Sequence, residues 1–134
     1  MSGLVLKLGP KERVLVNGAV IENGDRRSRL SIMTPDAKIL RLRDAIHPEE
    51  VNTPVRRVCY AAQLVLSGDA EPAETRIQLL RRIEELSRIL TDTDSRKLLD
   101  MASDAIIHER YYACLKALRL LLPREDRLLA TRAS

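Results

Sequence analysis

At 134 residues, 45% apolar and with a formal net charge of +4, the chain has the size of one compact domain or of two small halves sharing a core. No run approaches the roughly 18 consecutive apolar residues of a membrane span. Leu4-Val5-Leu6 is broken by Lys7, so no secretory signal is readable; the expected compartment is the cytoplasm, with no membrane partner. With no Phe, no Trp and three Tyr, the core has to be built from Leu, Ile and Val.

Residues 3–46 read as five short strands. Leu4, Leu6 and Leu8 alternate with Val5 and Lys7 before Gly9-Pro10 breaks the run. Arg13-Val14-Leu15-Val16 leads into Asn17-Gly18, and Ala19-Val20-Ile21 leads out towards a second pair, Asn23-Gly24. Asn-Gly favours a type I′ hairpin turn, which needs positive φ at both central residues. Gly18, Gly24 and Asp25 are therefore assigned to structural turns, Asp25 as a brace. Leu30 and Ile32 alternate with Arg29 and Ser31, Thr34-Pro35-Asp36-Ala37 reads as a turn, and Lys38 to Arg43 alternates again. The pattern predicts an antiparallel β-meander, a small sheet or partly open barrel, covered on at least one face by the rest of the chain.

The remainder is helical. Thr53-Pro54 reads as N-cap and first position of a helix bearing Val55, Val58, Cys59, Ala62 and Leu66 on one stripe, with Gly68-Asp69 ending it. A second helix, from about Glu71 to Leu90, carries Ile77, Leu80, Ile83, Leu86 and Leu90. A third, after the cap cluster Thr91 to Asp94, carries Leu98, Ala102, Ala105 and Ile106. A break at His108-Glu109-Arg110 precedes a fourth with Tyr111, Leu115, Leu118 and Leu122, stopped by Pro123. The last pair looks like one tetratricopeptide-like hairpin, but there is no second copy, so no repeat array is expected. The predicted class is α+β: a basic β-rich half (1–46), a connector (47–52), about four helices (53–122) packed with it as one domain, and a charged tail (123–134).

Charge is distributed unevenly. Residues 1–57 hold 11 Lys and Arg against 7 Asp and Glu, whereas residues 58–134 hold 12 against 12. The imbalance suggests an anionic partner for the first half. Arg26, Arg27 and Arg29 surround a predicted hairpin tip, Arg41 and Arg43 share a strand face, and Arg56 and Arg57 occupy a helix's first turn. Guanidinium forks match phosphate oxygens in two-point contacts, which makes these seven the candidate RNA-binding residues. Cations at a helix start oppose the helix dipole, so Arg56 and Arg57 need an anionic ligand or a carboxylate nearby. The alternative is that Asp25, Asp44, Glu49 or Glu50 neutralise the arginines. Scarce aromatics disfavour a base-stacking platform and point to phosphate contacts, Arg stacking and RNA shape, with modest affinity and steep salt dependence.

Catalysis finds no supporting motif. His47 and His108 are far apart, neither has a partner at metal-ligand spacing, and no Gly-rich phosphate loop, GxSxG or CxxC occurs. The expectation is a non-enzyme with no cofactor and no metal. Cys59 and Cys114 fall in apolar helical patterns and read as buried free thiols in preference to a redox pair.

Asn17 to Arg27, then Thr53-Pro54-Val55-Arg56-Arg57, then Glu109-Arg110-Tyr111-Tyr112 together resemble the FlbT family of flagellum biosynthesis regulators, in order and at the family's spacing from about Leu4 to Leu128. The resemblance implies a post-transcriptional regulator that binds the 5′ untranslated region of flagellin mRNA and promotes its decay. It also implies a companion flagellin regulator, FlaF. A second reading makes the helical half a protein-interaction module for FlaF or flagellin, with Tyr111 and Tyr112 as candidate contacts. Pairing of sheet edges across a two-fold axis would make a homodimer.

Overall fold

The computed structural model describes residues 4–34 and 37–133. Five strands come first: β1 (Leu4–Leu8), β2 (Arg13–Val16), β3 (Ala19–Glu22), β4 (Ser28–Ile32) and β5 (Ile39–Arg41). Two 3-10 turns, Leu42–Asp44 and Pro48–Glu50, lead to helices α1 (Pro54–Leu66), α2 (Pro72–Ile89), α3 (Thr93–Ile107), α4 (Tyr111–Arg119) and α5 (Leu122–Ala133). The fold is α+β, as the pattern predicts.

The strands are antiparallel, but their neighbours are not sequential. β1 pairs with β4 in a two-stranded ribbon, and β3, β2 and β5 form a three-stranded sheet in that order. The two Asn-Gly pairs explain the departure from a meander. Asn17 (φ 48°) and Gly18 (φ 86°) make the expected type I′ turn, joining β2 to β3 with Val16 opposite Ala19. Asn17 also fixes the start of β5: its amide donates to Lys38 O at 2.8 Å, and its Oδ1 accepts from Lys38 N at 2.8 Å. Gly24, by contrast, is not in the positive-φ region and makes no hairpin.

The second pair is instead a tie between two loops. Asn23 Nδ2 donates to Gly9 O (2.7 Å) and Arg26 O (2.9 Å), and its Oδ1 accepts from Ser28 Oγ (2.7 Å). Its amide donates to Glu12 O, and Lys11 N donates to Gly24 O. With the chain held against the β1–β2 loop in this way, β4 crosses to β1. Of the turn predicted at residues 34–37, Pro35 and Asp36 lie outside the described residues, and the Ala37 amide reaches Thr34 O at 3.4 Å.

Two apolar clusters organise the molecule. Leu6, Leu8, Val14, Ile32 and Ile39 fill the space between ribbon and sheet. A larger core runs through the helices and takes in Leu40 and Ile46. Ile39 and Leu40 point to opposite faces of β5, so this strand is buried on both sides and joins the two clusters. In the helical body α1 packs on α2 and α4, and α3 on α2 and α4. The α1 stripe is buried as expected, with Val65 added. On α2 the buried stripe is Thr75, Leu79, Ile83 and Leu86, and Ile77 is exposed.

The C-terminal segment differs most from expectation. Pro123 does not stop the last helix; it stands in the first turn of a fifth, where its missing N–H has no partner to lose. Glu125 on that helix is buried. Its carboxylate accepts from Thr53 Oγ1 and from Val55 N (2.8 Å), capping the start of α1 together with Thr53, which itself accepts from Arg56 N. The tail is thus a structural element.

The contrast between the glycines is testable by chemical denaturation. Gly18→Ala is expected to cost about 1 kcal/mol because a side chain must enter the left-handed region, and Gly24→Ala to stay within about 0.5 kcal/mol of the parent. Asn23→Ala is expected to cost about 1–2 kcal/mol, since the partly buried Gly9 carbonyl and two more exposed groups lose their partner together.

Candidate functional site

In β1 the alternation that buries Leu6 and Leu8 turns Lys7 outward, and in β4 Arg29 is likewise exposed. The register sets Lys7 directly opposite Arg29. Like charges facing each other across a strand pair are unfavourable, yet neither side chain has a carboxylate within ion-pair distance among the described residues. Arg27, presented by the loop that Asn23 ties down, and Arg43, from the 3-10 turn after β5, join them. Together with Leu8, Gly9 and Ser28 these four cations line an open concavity of about 610 Å³.

Next to it lies a fifth cation, which is neutralised. Arg41 grips Glu12 with two contacts, Nε to Oε2 at 2.7 Å and Nη2 to Oε1 at 2.8 Å, and donates from Nη2 to Lys7 O at 2.6 Å. Glu12 Oε1 also accepts from Gly9 N at 3.0 Å. Both side chains are nearly enclosed, 12% and 10% exposed. The hydrogen bond from Arg41, aided by Gly9 N–H and the charge of Arg43, overcomes desolvation and holds the Glu12 carboxyl at about 2. The same bond raises Arg41 further above its ordinary value.

The seven candidate arginines therefore separate. Arg27, Arg29 and Arg43 converge on the concavity; Arg43 is 60% exposed, with Glu12 Oε2 at 3.7 Å and Asp44 Oδ1 at 4.0 Å. It does not share a strand face with Arg41, because β5 ends at Arg41. Arg41 is a clamp, closed off from a ligand by Glu12. Arg26 is exposed on the same loop without lining the concavity. Arg56 is 25% exposed and engaged by Asp126 Oδ1 (3.1 Å) and Glu125 Oε1 (3.7 Å), so the carboxylates that its position calls for come from α5. Arg57 is exposed beside it, with no carboxylate within ion-pair distance among the described residues, and it does not line the concavity. Asp25 pairs with Lys11 at 2.9 Å on the surface. Lys7 is a site residue outside the sequence-based set; a single Lys between leucines reads as an ordinary solvent-facing position.

The remaining candidates are structural. Tyr111 is buried and donates its hydroxyl to Pro72 O at 3.0 Å, which removes it from any contact surface. Tyr112 is half-buried against the helical core, with Lys116 Nζ 5.6 Å from its ring centroid. Cys59 and Cys114 are buried free thiols, each pushed up to about 12 by burial. His47 accepts from Glu49 N at the start of the second 3-10 turn, and His108 caps the end of α3. Among the described residues no three His, Cys, Asp or Glu side chains gather to hold a metal, and no helix is long and apolar enough to cross a membrane.

Fold and site define a class: a small α+β protein with a cationic concavity at its strand-rich end and a helical body closed by a carboxylate cap. The chain belongs to the FlbT family, whose profile, "Flagellar protein FlbT", matches residues 4–129. It is 34% identical over 127 residues to the probable flagellum biosynthesis repressor protein FlbT 1 of Bradyrhizobium diazoefficiens, covering 93% of this chain and 84% of that one. To the probable flagellum biosynthesis repressor protein FlbT of Rhodopseudomonas palustris it is 32% identical over 127 residues, covering 95% and 98%. To the flagellum biosynthesis repressor protein FlbT of Caulobacter vibrioides it is 28% identical over 123 residues, covering 92% and 86%. No solved structure matches the chain.

The Glu12–Arg41 clamp gives a pH-dependent expectation. A carboxyl held below its ordinary 4.5 stabilises the fold fully above that value and loses its contribution as pH falls towards about 2. Glu12→Gln is expected to cost on the order of 3 kcal/mol near neutral pH. The gap to the parent in urea melts should narrow between pH 4.5 and about 2.

Proposed function

We propose that this chain is a non-enzymatic, cytoplasmic, post-transcriptional regulator of flagellar biosynthesis. In this reading it binds the 5′ untranslated region of flagellin mRNA and affects the message's stability or translation. Membership of a family whose relatives are named flagellum biosynthesis repressors supports the regulatory part. The RNA part is carried by one observation, the opposed Lys7 and Arg29 with Arg27 and Arg43 around one concavity.

The gathering of these cations around one concavity gives that observation its weight. Arg57, Arg81, Arg82, Arg96 and Lys97 are also exposed without an ion pair among the described residues but do not line it, and several other arginines are paired. Arg13 is neutralised by Glu22, Arg76 by Glu109, Arg88 by Glu84, Arg119 by Asp44 and Arg124 by Asp92. Where the chain gathers Lys7, Arg27 and Arg29 without a carboxylate partner among the described residues, beside an Arg43 that lies 3.7 Å from Glu12, a phosphate backbone is the ligand that would lower their mutual repulsion.

Titration of a flagellin leader RNA at several salt concentrations tests the reading. Affinity should fall as salt rises, and Arg27→Glu with Arg29→Glu should weaken binding by roughly tenfold or more, with Arg13→Glu close to the parent. A flat salt response, or full binding by the Arg27→Glu/Arg29→Glu protein, would defeat it.

A protein-interaction role has its own observation. Ile77 and Ile89 on α2, and Met101 and Ile107 on α3, are each more than half exposed. In that reading the helical body contacts FlaF or flagellin. Co-purification with either should then be lost with Ile77→Asp and Ile107→Asp and kept with Arg27→Glu and Arg29→Glu.

A further inference from the structure

We infer that the concavity seats one or two nucleotides of a single-stranded phosphodiester and does not accommodate a base-paired stem. The inference rests on the RNA reading above and specifies the form of RNA that is bound.

Size is the first argument. A volume of about 610 Å³ is that of a small-ligand site, roughly 300–1,000 Å³, not of a groove that tracks a helix. The second is where the cations stop. On the outward face of the β1–β4 ribbon, the rung after Lys7 and Arg29 is Val5 and Ser31, which is uncharged. Arg41 and Arg56 are occupied by Glu12 and by Asp126, and Arg26, exposed on the neighbouring loop, does not line the concavity. A stem presents phosphates on two strands, and modules that recognise duplex RNA bridge successive grooves over about 16 base pairs. Four cations gathered in one concavity reach a single ridge of phosphates.

Chemistry supplies the third argument. No aromatic side chain lines the concavity, so an unpaired base finds its stacking partners in the planes of Arg27, Arg29 and Arg43. Leu8 and Gly9 give an apolar wall, and a phosphate bridging Lys7 and Arg29 relieves the repulsion between them. A strand of RNA and a free dinucleotide share this chemistry.

Fluorescence anisotropy with three labelled probes tests the inference directly: a single-stranded octaribonucleotide, a blunt duplex of the same length and a dinucleotide. The single strand should bind at least roughly tenfold more tightly than the duplex. With two or three phosphates engaged, the log–log salt slope should be about −1.4 to −2.1. Lys7→Gln and Arg29→Gln, both at exposed positions, should each weaken the single strand, with folding checked by circular dichroism and Arg43→Gln as a further variant. A dinucleotide that binds as tightly as the octamer identifies a free dinucleotide as the ligand; a weaker one identifies a strand. Equal or tighter duplex binding, a slope steeper than about −4, or indifference to all three variants overturns the inference. Leader RNA bound with a duplex preference would remove this inference and leave the regulatory reading standing. Single-strand binding without leader binding would do the reverse, and no binding by any probe would remove both.

Discussion

The bidentate contact between Glu12 and Arg41 is the joint on which the strand half depends. A two-stranded ribbon and a three-stranded sheet are each marginal alone, and here they share only a small apolar cluster. Glu12 comes from the loop after β1 and Arg41 from the end of β5. Through Gly9 N–H and Lys7 O the pair reaches the ribbon as well. Removing two charges from water is costly, and this arrangement offsets the cost with several charge-assisted hydrogen bonds in fixed geometry. One result is that the Lys7 backbone is held from behind and its side chain projects towards Arg29 from a defined place.

Pairing, more than net charge, distinguishes the arginines of this chain. Counted along the sequence, seven of them look alike as phosphate ligands. In the fold Arg41 and Arg56 spend their charge internally, one locking strands and the other answering α5 through Nη1. Arg27 and Arg29 have no such partner among the described residues. Ion pairing removes charges of both signs, so the excess of the first half keeps its size and becomes more local.

Much of this is legible in the residues themselves, and the rest is hidden for physical reasons. Asn17-Gly18 and the β1 alternation are local signals, and local geometry satisfies them. Asn23-Gly24 is the same dipeptide in another role. An Asn side chain both donates and accepts, and once carbonyls of a distant loop are in reach it bonds them in preference to turning the chain. The buried stripe of α2 departs from the simple periodicity at one end, because α1 and α3 both press on that helix and select Leu79 over Ile77. Pro123 is compatible with a stop or a start, and only the burial of Glu125 against Thr53 decides between them. The convergence of Lys7 with Arg43 depends on strand register and a crossover, neither of which leaves a mark on nearby residues.

The cap on α1 also bears on the order in which the protein takes shape during synthesis. Thr53 and the Glu125 that completes its helix start are separated by 72 residues. As the chain leaves the ribosome, α1 has its own Thr53 to cap Arg56 N, but its Val55 amide faces water and its cationic first turn is unanswered. The start of α1 is closed only when the segment after Pro123 arrives. The first helix of the body is thus completed by the last, and a chain interrupted before residue 125 would carry that opening exposed.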